Sequence, residues 1–235
     1  MIEINSLSKK FNKNVVLFDL DLLIEKAGIF AILGPNGSGK TTLIKAILGM
    51  VIPDDGEIMV ANINIRKSSN YRYNLDYLPQ IANFPHNLKV RELIAMIKDL
   101  RGETDEEENL IDRFNLYPFL DKKLGNLSGG TKQKVNILLT FMYDSPILIL
   151  DEPTTGLDPI ALIQLKKLIL EKKEAGKTIL ITSHIMSFVE EMTDEIVFLL
   201  EGKIHFKGLI QKLKQDTQQK DLEHAIAVLL EKSHV

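Results

Sequence analysis

The sequence contains no cysteine, which excludes disulfide scaffolds, cysteine nucleophiles and thiolate metal sites. No stretch approaches the ~20 consecutive apolar residues that a membrane-spanning helix requires. The first residues lack the basic segment and apolar run of a secretory signal, so we expect a cytoplasmic protein. There is also no basic excess, because 29 Lys and Arg residues face 32 Asp and Glu residues, for a net charge of -3. Nucleic-acid binders usually carry such an excess, so no nucleic-acid partner is expected.

The remaining composition is that of a globular chain, since 45% of its 235 residues are hydrophobic and can bury a substantial core. Strands are predicted at 18–25, 29–33, 57–60, 147–150, 178–182, 196–200 and 203–206, and helices at 40–48, 90–100, 105–116, 129–143 and 159–174, with a further helix in the tail from Leu222. In the first strand, alternate residues from Phe18 to Ile24 are expected to face the core. The alternation of strands and helices predicts an α/β sheet, with a helical segment inserted from about 89 to 126.

Residues 34–41 read G-P-N-G-S-G-K-T, a complete match to the phosphate-loop pattern. Glycines let the backbone wrap so that N–H groups converge on phosphate oxygens, and the following helix points its positive end at the same anion. In this pattern Lys40 reaches the β- and γ-phosphates and the Thr41 hydroxyl ligates Mg²⁺. The sequence therefore predicts nucleoside triphosphate binding at Gly34, Pro35, Asn36, Gly37, Ser38, Gly39, Lys40, Thr41 and Thr42.

A pair of carboxylates follows the apolar run at 147–150, namely Asp151 and Glu152. The carboxyl ends of parallel strands face the ligand crevice of an α/β sheet, so both side chains are expected beside the phosphate loop. An aspartate at this position holds Mg²⁺ in phosphate-loop enzymes, directly or through water, and we assign that role to Asp151. Glu152 is not needed to hold Mg²⁺ and could orient or deprotonate the attacking water.

Further motifs, taken in order, resemble those of the ATP-binding cassette (ABC) ATPases over about residues 1–208. The segment Leu127-Ser128-Gly129-Gly130-Thr131-Lys132-Gln133 is similar to the signature motif of that family. Gln80 matches the Q-loop glutamine, residues 151–153 the Walker B end, residues 156–158 the D-loop, and His184 the switch histidine. Phe11, ahead of the first long strand, sits where the family has an aromatic side chain that stacks on adenine.

The resemblance implies a phosphate-loop NTPase core with an N-terminal antiparallel β subdomain and an α-helical subdomain inserted at about 86–145, followed by a helical tail at 209–235. It also implies a head-to-tail homodimer enclosing two ATP molecules, in which Ser128 and Gly130 act on the nucleotide of the partner protomer. The implied catalytic residues are Glu152, His184, Gln80 and Lys40, the nucleotide contacts beyond the phosphate loop are Phe11, Ser128, Gly130 and Asp158, and the Mg²⁺ ligands are Thr41, Gln80 and Asp151.

The family further implies a membrane partner. Gln80 would relay the nucleotide state to a separate transmembrane permease that grips the inserted helices, so the ATPase would lie at the inner face of the cell membrane. Thr131 stands where many members have glutamine, and Phe11 replaces the commoner tyrosine. Neither departure is expected to affect ATPase activity. The change at Thr131 should leave Ser128 and Gly130 able to act, and stacking by Phe11 needs only the face of the ring.

Other classes of protein share some of these motifs. An ABC ATPase of DNA repair carries a long coiled coil before the signature, one of translation carries two cassettes, and a phosphate-loop GTPase carries an N/T-K-x-D motif; the sequence has none of these. It favours an ATP-hydrolysing motor subunit of a transporter, with a non-transport ABC ATPase acting on a macromolecular complex as the alternative. It does not indicate the transported substrate. No metal-ligand spacing is found for the remaining histidines, which are expected at the surface: His86, His205, His224 and His234.

Overall fold

Ten strands and eight α-helices lie in residues 1–25 and 27–233, the part of the chain that the computed structural model describes. The strands are β1 (Ile2–Phe11), β2 (Asn14–Ile24), β3 (Gly28–Leu33), β4 (Asp55–Val60), β5 (Ile63–Asn64), β6 (Leu75–Leu78), β7 (Ile147–Asp151), β8 (Thr178–Thr182), β9 (Glu195–Leu200) and β10 (Lys203–Leu209). The helices are α1 (Lys40–Ile47), α2 (Val90–Arg101), α3 (Glu106–Arg113), α4 (Gly129–Phe141), α5 (Pro159–Glu174), α6 (Met186–Met192), α7 (Ile210–Thr217) and α8 (Leu222–Ser233).

The strands form one antiparallel and one largely parallel sheet. The antiparallel sheet has the order β2-β1-β4-β5. The second sheet has the order β10-β9-β3-β8-β7-β6, and only its β9–β10 pair is antiparallel. The predicted fold class is therefore confirmed. Because β3, β8, β7 and β6 run in the same direction, the loops after them meet at one edge of the sheet.

Alternate residues of the parallel strands pack into different layers of the core. Phe30 and Ile32 of β3 share an apolar cluster with α1 and the antiparallel sheet. Ile29 of the same strand lies in a second cluster with α2, α3, α4 and α5. A third cluster packs α7 and α8 against β9 and α6. Strand β3 is thus buried on both faces, as its continuous apolar run predicts.

Most predicted elements are confirmed to within one or two residues, including the strands at 29–33, 147–150 and 178–182 and the helices at 40–48, 90–100 and 159–174. Helix α5 begins where the Asp158 side chain accepts a hydrogen bond from the N–H of Ala161, at 2.9 Å. The predicted helix at 105–116 is shorter and ends at Arg113, because Phe114 already has non-helical dihedral angles.

Five elements are not predicted by periodicity: β1, β5, β6, α6 and α7. The pairing of β1 with β2 changes register three times, so side-chain alternation is interrupted there. The prediction that Phe18 faces the core is wrong: Asp19 has a φ of 43°, and around this bulge Leu17 and Leu20 are buried while Phe18 is half exposed. Phe11, expected ahead of the first long strand, is instead the last residue of the ten-residue strand β1.

Candidate nucleotide-binding site

A cleft of about 370 Å³ opens at the carboxyl edge of the parallel sheet. It lies among the phosphate loop, the ends of β7 and β8, and the segment that follows β6. Its lining residues are Asn14, Val16, Asn36, Gly37, Gly39, Lys40, Thr41, Thr42, Gln80, Asp151, Glu152, Thr182 and His184. The fold therefore brings the predicted loop, both carboxylates, the glutamine and the histidine to one place.

The phosphate loop requires glycine at two positions where it passes against the backbone of other strands. Gly34 has a φ of 152°, and a Cβ atom there would lie 2.0 Å from the carbonyl oxygen of Leu199 in β9. Gly39 has a φ of 107°, and a Cβ atom there would lie 2.8 Å from the carbonyl oxygen of Val16 in β2. Only glycine adopts these angles readily and leaves this space. The tight turn from β3 into α1 depends on both residues.

Several donors in this loop have no partner. Helix α1 begins after Gly39 with no side-chain cap, so its first N–H groups are free of intrahelical partners and carry the positive end of the helix dipole. The hydroxyl of Ser38 is buried and also has no hydrogen-bond partner, although buried hydroxyls normally have one. An anion in the cleft would satisfy the free N–H groups at the start of α1, so the residues present fit a phosphate group.

The ammonium group of Lys40 lies in the same loop. Its Nζ donates to the carbonyl oxygens of Gly34 at 2.6 Å and Pro35 at 2.9 Å. Burial lowers the pKa of Lys40, and the negative charges of Glu152 and Asp151 oppose that shift. The cation is thus bound to neutral acceptors, and phosphate oxygens in their place would give stronger, charge-assisted hydrogen bonds.

Asp151 ends β7 directly beside Thr182, the last residue of β8. The Thr182 hydroxyl donates to Oδ1 of Asp151 at 2.5 Å, and the Tyr77 hydroxyl donates to Oδ2 at 3.4 Å. Burial, together with the charge of Asp151, raises the pKa of Tyr77 to about 12, so the phenol remains a donor at neutral pH. Two neutral donors therefore orient the carboxylate without neutralising it.

Glu152 follows in an uncommon backbone conformation, with a φ of 48°. Its N–H donates to both the carbonyl and the hydroxyl oxygen of Thr182, each at 3.1 Å. Its carboxylate accepts a hydrogen bond from the backbone N–H of His184 at 3.3 Å and lies 3.2 Å from Nε2 of the same residue. Glu152 and His184 therefore form a carboxylate–imidazole pair in the cleft that also contains Lys40.

The cleft also gathers oxygen donors suited to a divalent cation. Thr41 offers a hydroxyl, Gln80 an amide oxygen and Asp151 a carboxylate, and all three line the cleft. Mg²⁺ is usually held by one or two carboxylates together with substrate phosphates. Within residues 1–25 and 27–233, no group of three or more His, Cys, Asp or Glu side chains could hold a metal. The donors present fit a Mg²⁺ ion that binds together with a nucleotide.

Some predicted residues lie outside the cleft lining. Gly34, Pro35 and Ser38 belong to the phosphate loop but do not line the cleft. Phe11 is half exposed at the end of β1, with the Lys9 ammonium 5.2 Å from its ring centroid, and it does not line the cleft either. Its ring face is therefore open to a planar ligand only on the side away from this cation.

The signature segment also lies away from the cleft of its own chain. Ser128 is the N-cap of α4, where its Oγ accepts a hydrogen bond from the N–H of Thr131 at 3.2 Å. Asp158 pairs with Lys134 at 2.6 Å. Neither of these residues, nor Gly130, lines the cleft around Lys40. One chain therefore places its phosphate loop and its signature segment at separate positions.

Three lining residues are not predicted from the sequence: Asn14, Val16 and Thr182. Thr182 carries a usable signal, because it is a polar residue at the carboxyl end of a buried strand, as Asp151 is. Asn14 and Val16 come from β2 in the other sheet, and no sequence pattern places them beside the loop. Of the remaining histidines, His86, His205 and His224 are exposed as predicted, and His234 lies outside the described residues.

Comparison with known proteins decides the family. Residues 17–155, from β2 to the turn after Glu152, match the sequence profile of the ABC transporter family. The chain belongs to this family. The ABC ATPase domain accounts for the order of its motifs, from the phosphate loop through the signature segment to Asp151 and Glu152.

Two similar proteins are named as ATP-binding proteins of transporters. The lantibiotic transport ATP-binding protein SrtF of Streptococcus pyogenes is 34% identical over 216 residues, which cover 87% of this chain and 89% of that protein. The ABC transporter ATP-binding protein YtrB of Bacillus subtilis is 32% identical over 219 residues, which cover 92% of this chain and 74% of that protein. The chain is an ABC transporter ATP-binding subunit.

Solved structures agree with this assignment. The ATP-binding subunit of an ABC transporter superposes with a TM-score of 0.92 at 28% identity, covering 98% of this chain and 99% of that one. A dimeric ATP-binding cassette in a post-hydrolysis state with ADP and Pi shares the fold, with a TM-score of 0.79 at 23% identity over 89% of this chain and 98% of that one. Across residues 1–25 and 27–233, no helix of this ABC ATPase has the length and apolar character needed to cross a membrane.

Proposed function

We propose that this subunit hydrolyses ATP to drive a separate transmembrane permease. The observation that carries the proposal is the convergence of Lys40, Glu152 and His184 on one cleft. The loop N–H groups and Lys40 bind the phosphates, and Glu152 accepts a proton from the attacking water. The water oxygen bonds to the γ-phosphorus as the bond to the β,γ-bridging oxygen breaks, which yields ADP and phosphate. His184, 3.2 Å from Glu152, holds the carboxylate toward that water.

Mg²⁺ and the adenine ring have their own residues in this proposal. Bound Mg²⁺ supplies positive charge that stabilises the charge developing on the phosphates. Thr41, Gln80 and Asp151 would hold it, and the hydroxyl donors on Asp151 keep that carboxylate oriented for the task. Phe11 would stack on adenine through its exposed face.

The separation of Ser128 from Lys40 supports an ATP-dependent, head-to-tail homodimer. Each site would combine the phosphate loop of one protomer with Ser128, Gly130 and Asp158 of the other. The N-terminus of α4 suits this role because its first N–H groups can bind a γ-phosphate, as those of α1 can. Two such composite sites would close on two ATP molecules.

A second concave surface suits the permease. A groove of about 580 Å³ between the parallel sheet, α2 and α4 combines apolar side chains, including Leu48, Met50, Ile97 and Leu139, with the charged side chains of Arg72, Asp76 and Arg101. Met50 is 62% exposed, so part of the apolar lining is open to a partner. We propose that a permease segment docks here and holds the ATPase at the inner face of the membrane. The domain would span 1–208, with the gripped helical subdomain at about 86–145 and the tail at 209–235.

Glu152→Gln tests the hydrolytic role. The amide cannot accept the proton, so the variant should bind ATP but lose hydrolysis by a factor of about 100 or more. Because the bound ATP is not hydrolysed, the ATP-bound dimer should accumulate in the presence of Mg²⁺ and be seen by size-exclusion chromatography. Glu201→Gln is the matched control, because Glu201 also has a positive φ, 49°, but is exposed in the β9–β10 turn. Wild-type turnover in purified Glu152→Gln protein would refute the role of this carboxylate.

Met50→Glu tests the docking groove. The negative charge beside the apolar lining should prevent the Met50→Glu protein from co-sedimenting with the membrane fraction. Its ATPase activity in solution should be retained. Phe18→Glu introduces the same charge at a half-exposed aromatic residue of β2, outside the groove, and should still co-sediment. Equal co-sedimentation of both variants would contradict docking at this surface, whereas absence of the wild-type protein from the membrane fraction would favour a non-transport role.

A further inference from the structure

A row of polar side chains lies on one buried face of α4, the helix that begins at the signature segment. Gln133, Asn136 and Thr140 are 5%, 4% and 4% exposed. Their spacing of three and four residues places them one above the other on the helix. Buried polar groups destabilise a fold unless they are hydrogen-bonded, so each of them needs a partner. All three find partners in the backbone of segments that lead into or out of the cleft.

Asn136 is bonded to the segment that carries Gln80. Its Nδ2 donates to the carbonyl oxygen of Pro79 at 3.0 Å. Strand β6 ends at Leu78, so Pro79 lies beyond the strand pairing that fixes the rest of this segment. The next residue, Gln80, is exposed and lines the nucleotide cleft. The Asn136 amide therefore fixes the backbone immediately before a cleft residue.

Gln133 is bonded to the segment that carries Glu152. Its Nε2 donates to the carbonyl oxygen of Pro153 at 3.3 Å, one residue after the carboxylate. The two amides also meet, because Nδ2 of Asn136 lies 3.4 Å from Oε1 of Gln133. A single pair of amides thus joins α4 to the backbone next to both Gln80 and Glu152.

Thr140 also joins α4 to β6, but it bonds within the strand and not to the segment after it. Its hydroxyl bonds to the carbonyl oxygens of Asn136 at 2.9 Å, within α4, and of Tyr77 at 3.4 Å, within β6. It is as buried as Asn136 and joins the same two elements, but it does not touch a residue adjacent to Gln80 or Glu152. Thr140 therefore separates the effect of attaching α4 to β6 from the effect of positioning the cleft residues.

We propose that Asn136 is a positioning residue for ATP hydrolysis, which with Gln133 holds Gln80 and Glu152 in fixed register with the signature helix. The inference rests on the proposed function, in which these two residues act on the nucleotide. Loss of the Asn136 donor releases the backbone before Gln80. It also removes the hydrogen bond that Asn136 donates to the side chain of Gln133. None of these bonds involves the phosphate loop, so the contacts of that loop with the phosphates of ATP do not depend on them.

Backbone dynamics of the nucleotide-free, full-length protein test the positioning without using activity. Asn136→Leu keeps a similar side-chain volume and removes the donor. The 15N order parameters of residues 80–83 should fall into the range below about 0.6 that marks a flexible backbone. Thr140→Val should leave the order parameters of residues 80–83 unchanged. Unchanged order parameters in Asn136→Leu, or an equal decrease in Thr140→Val, would overturn the proposal.

Steady-state kinetics provide the second readout. Asn136→Leu should lower kcat by about five- to tenfold, with a smaller change in the KM for ATP and with the Kd for a non-hydrolysable analogue unchanged in the absence of Mg²⁺. Because the amides contact each other, Gln133→Met combined with Asn136→Leu should lower kcat by less than the product of the two single effects. A rise in KM with unchanged kcat would overturn the proposal. If wild-type protein hydrolyses no ATP, the proposed function fails, and the order parameters of residues 80–83 alone still decide the positioning.

Discussion

Replacing Arg101 by methionine should destabilise the fold, and more strongly at pH 8 than at pH 5. Asp76 of β6 is 3% exposed, and its Oδ1 accepts a hydrogen bond from the Arg101 guanidinium of α2. Arg101 also donates to the hydroxyl of Ser145 at 3.2 Å and lies 4.2 Å from the ring centroid of Tyr143. The other carboxylate oxygen of Asp76 has no hydrogen-bond partner. Arg101 therefore supplies the main neutralising contact of a buried charge between α2 and the sheet.

The sign of the pH effect follows from Asp76. Burial raises its pKa above the ordinary value of 3.8, and the Arg101 guanidinium opposes this shift, with a smaller contribution from Ser145. An acid whose pKa is raised in the folded state stabilises the fold at low pH, and this contribution is lost as the pH rises through the folded-state pKa. Without Arg101 the folded-state pKa of Asp76 rises further, so the cost of the unpaired buried carboxylate grows as the pH rises.

Removing one partner of a buried ion pair costs ~3–5 kcal/mol. Arg101 has 28% of its side chain exposed, so part of that cost is screened. We expect a loss of about 2–3 kcal/mol in the free energy of unfolding at pH 8 and a smaller loss at pH 5, because protonation of the unpaired carboxylate becomes easier as the pH falls.

Urea unfolding at the two pH values measures the difference. Asp76→Asn combined with Arg101→Met is the control, because the neutral amide removes the buried charge and should remove the pH dependence. The reasoning is refuted if Arg101→Met is equally destabilised at pH 5 and pH 8, or if Asp76→Asn leaves its pH dependence unchanged.

The phosphate loop, the dimer and the tail each provide a further test. Lys40→Ala should weaken ATP binding or abolish turnover with an unchanged circular dichroism spectrum; normal hydrolysis would contradict the role of the loop. In mixed dimers, Ser128→Arg in one protomer and Lys40→Ala in the other should leave one intact composite site, whereas both changes in one protomer damage each site once and should give less activity. Greater activity of the second arrangement would indicate sites closed within single chains. Asp221 raises the pKa of His224 above its ordinary value of 6.5, so His224→Gln should lower the Tm at pH 6 but not at pH 9; an equal shift at both pH values would contradict this pairing.

The chemical core of the site is predicted well because its residues depend on short-range pattern. The phosphate loop must follow a strand and open a helix, and Asp151 must end a buried strand, so local sequence places both at the same sheet edge. The family resemblance adds Gln80 and His184, which no local pattern identifies. Thr182 obeys the same strand-end rule, but only the pairing of β8 with β7 identifies its hydroxyl as a partner of Asp151.

Contacts between distant segments are not predictable in this way. Helix α4 is amphipathic enough to be recognised, but Asn136 and Gln133 are polar residues on its buried face, and their partners are backbone carbonyls far along the chain. The orientation of Phe18 is mispredicted for a related reason, because the bulge at Asp19 depends on the pairing with β1. Contacts between distant segments decide both cases, and the periodicity of a single segment carries no information about them.

The backbone of Glu152 places stability and turnover in opposition. A side chain in the left-handed region costs about 1–2 kcal/mol relative to glycine, and here two hydrogen bonds to Thr182 maintain that conformation. Glycine at position 152 would relieve the strain and remove the carboxylate. In the proposed mechanism Glu152 is the base, so selection for thermal stability alone would enrich folded but inactive proteins altered at this position, and an engineered stable form would have to gain its stability elsewhere.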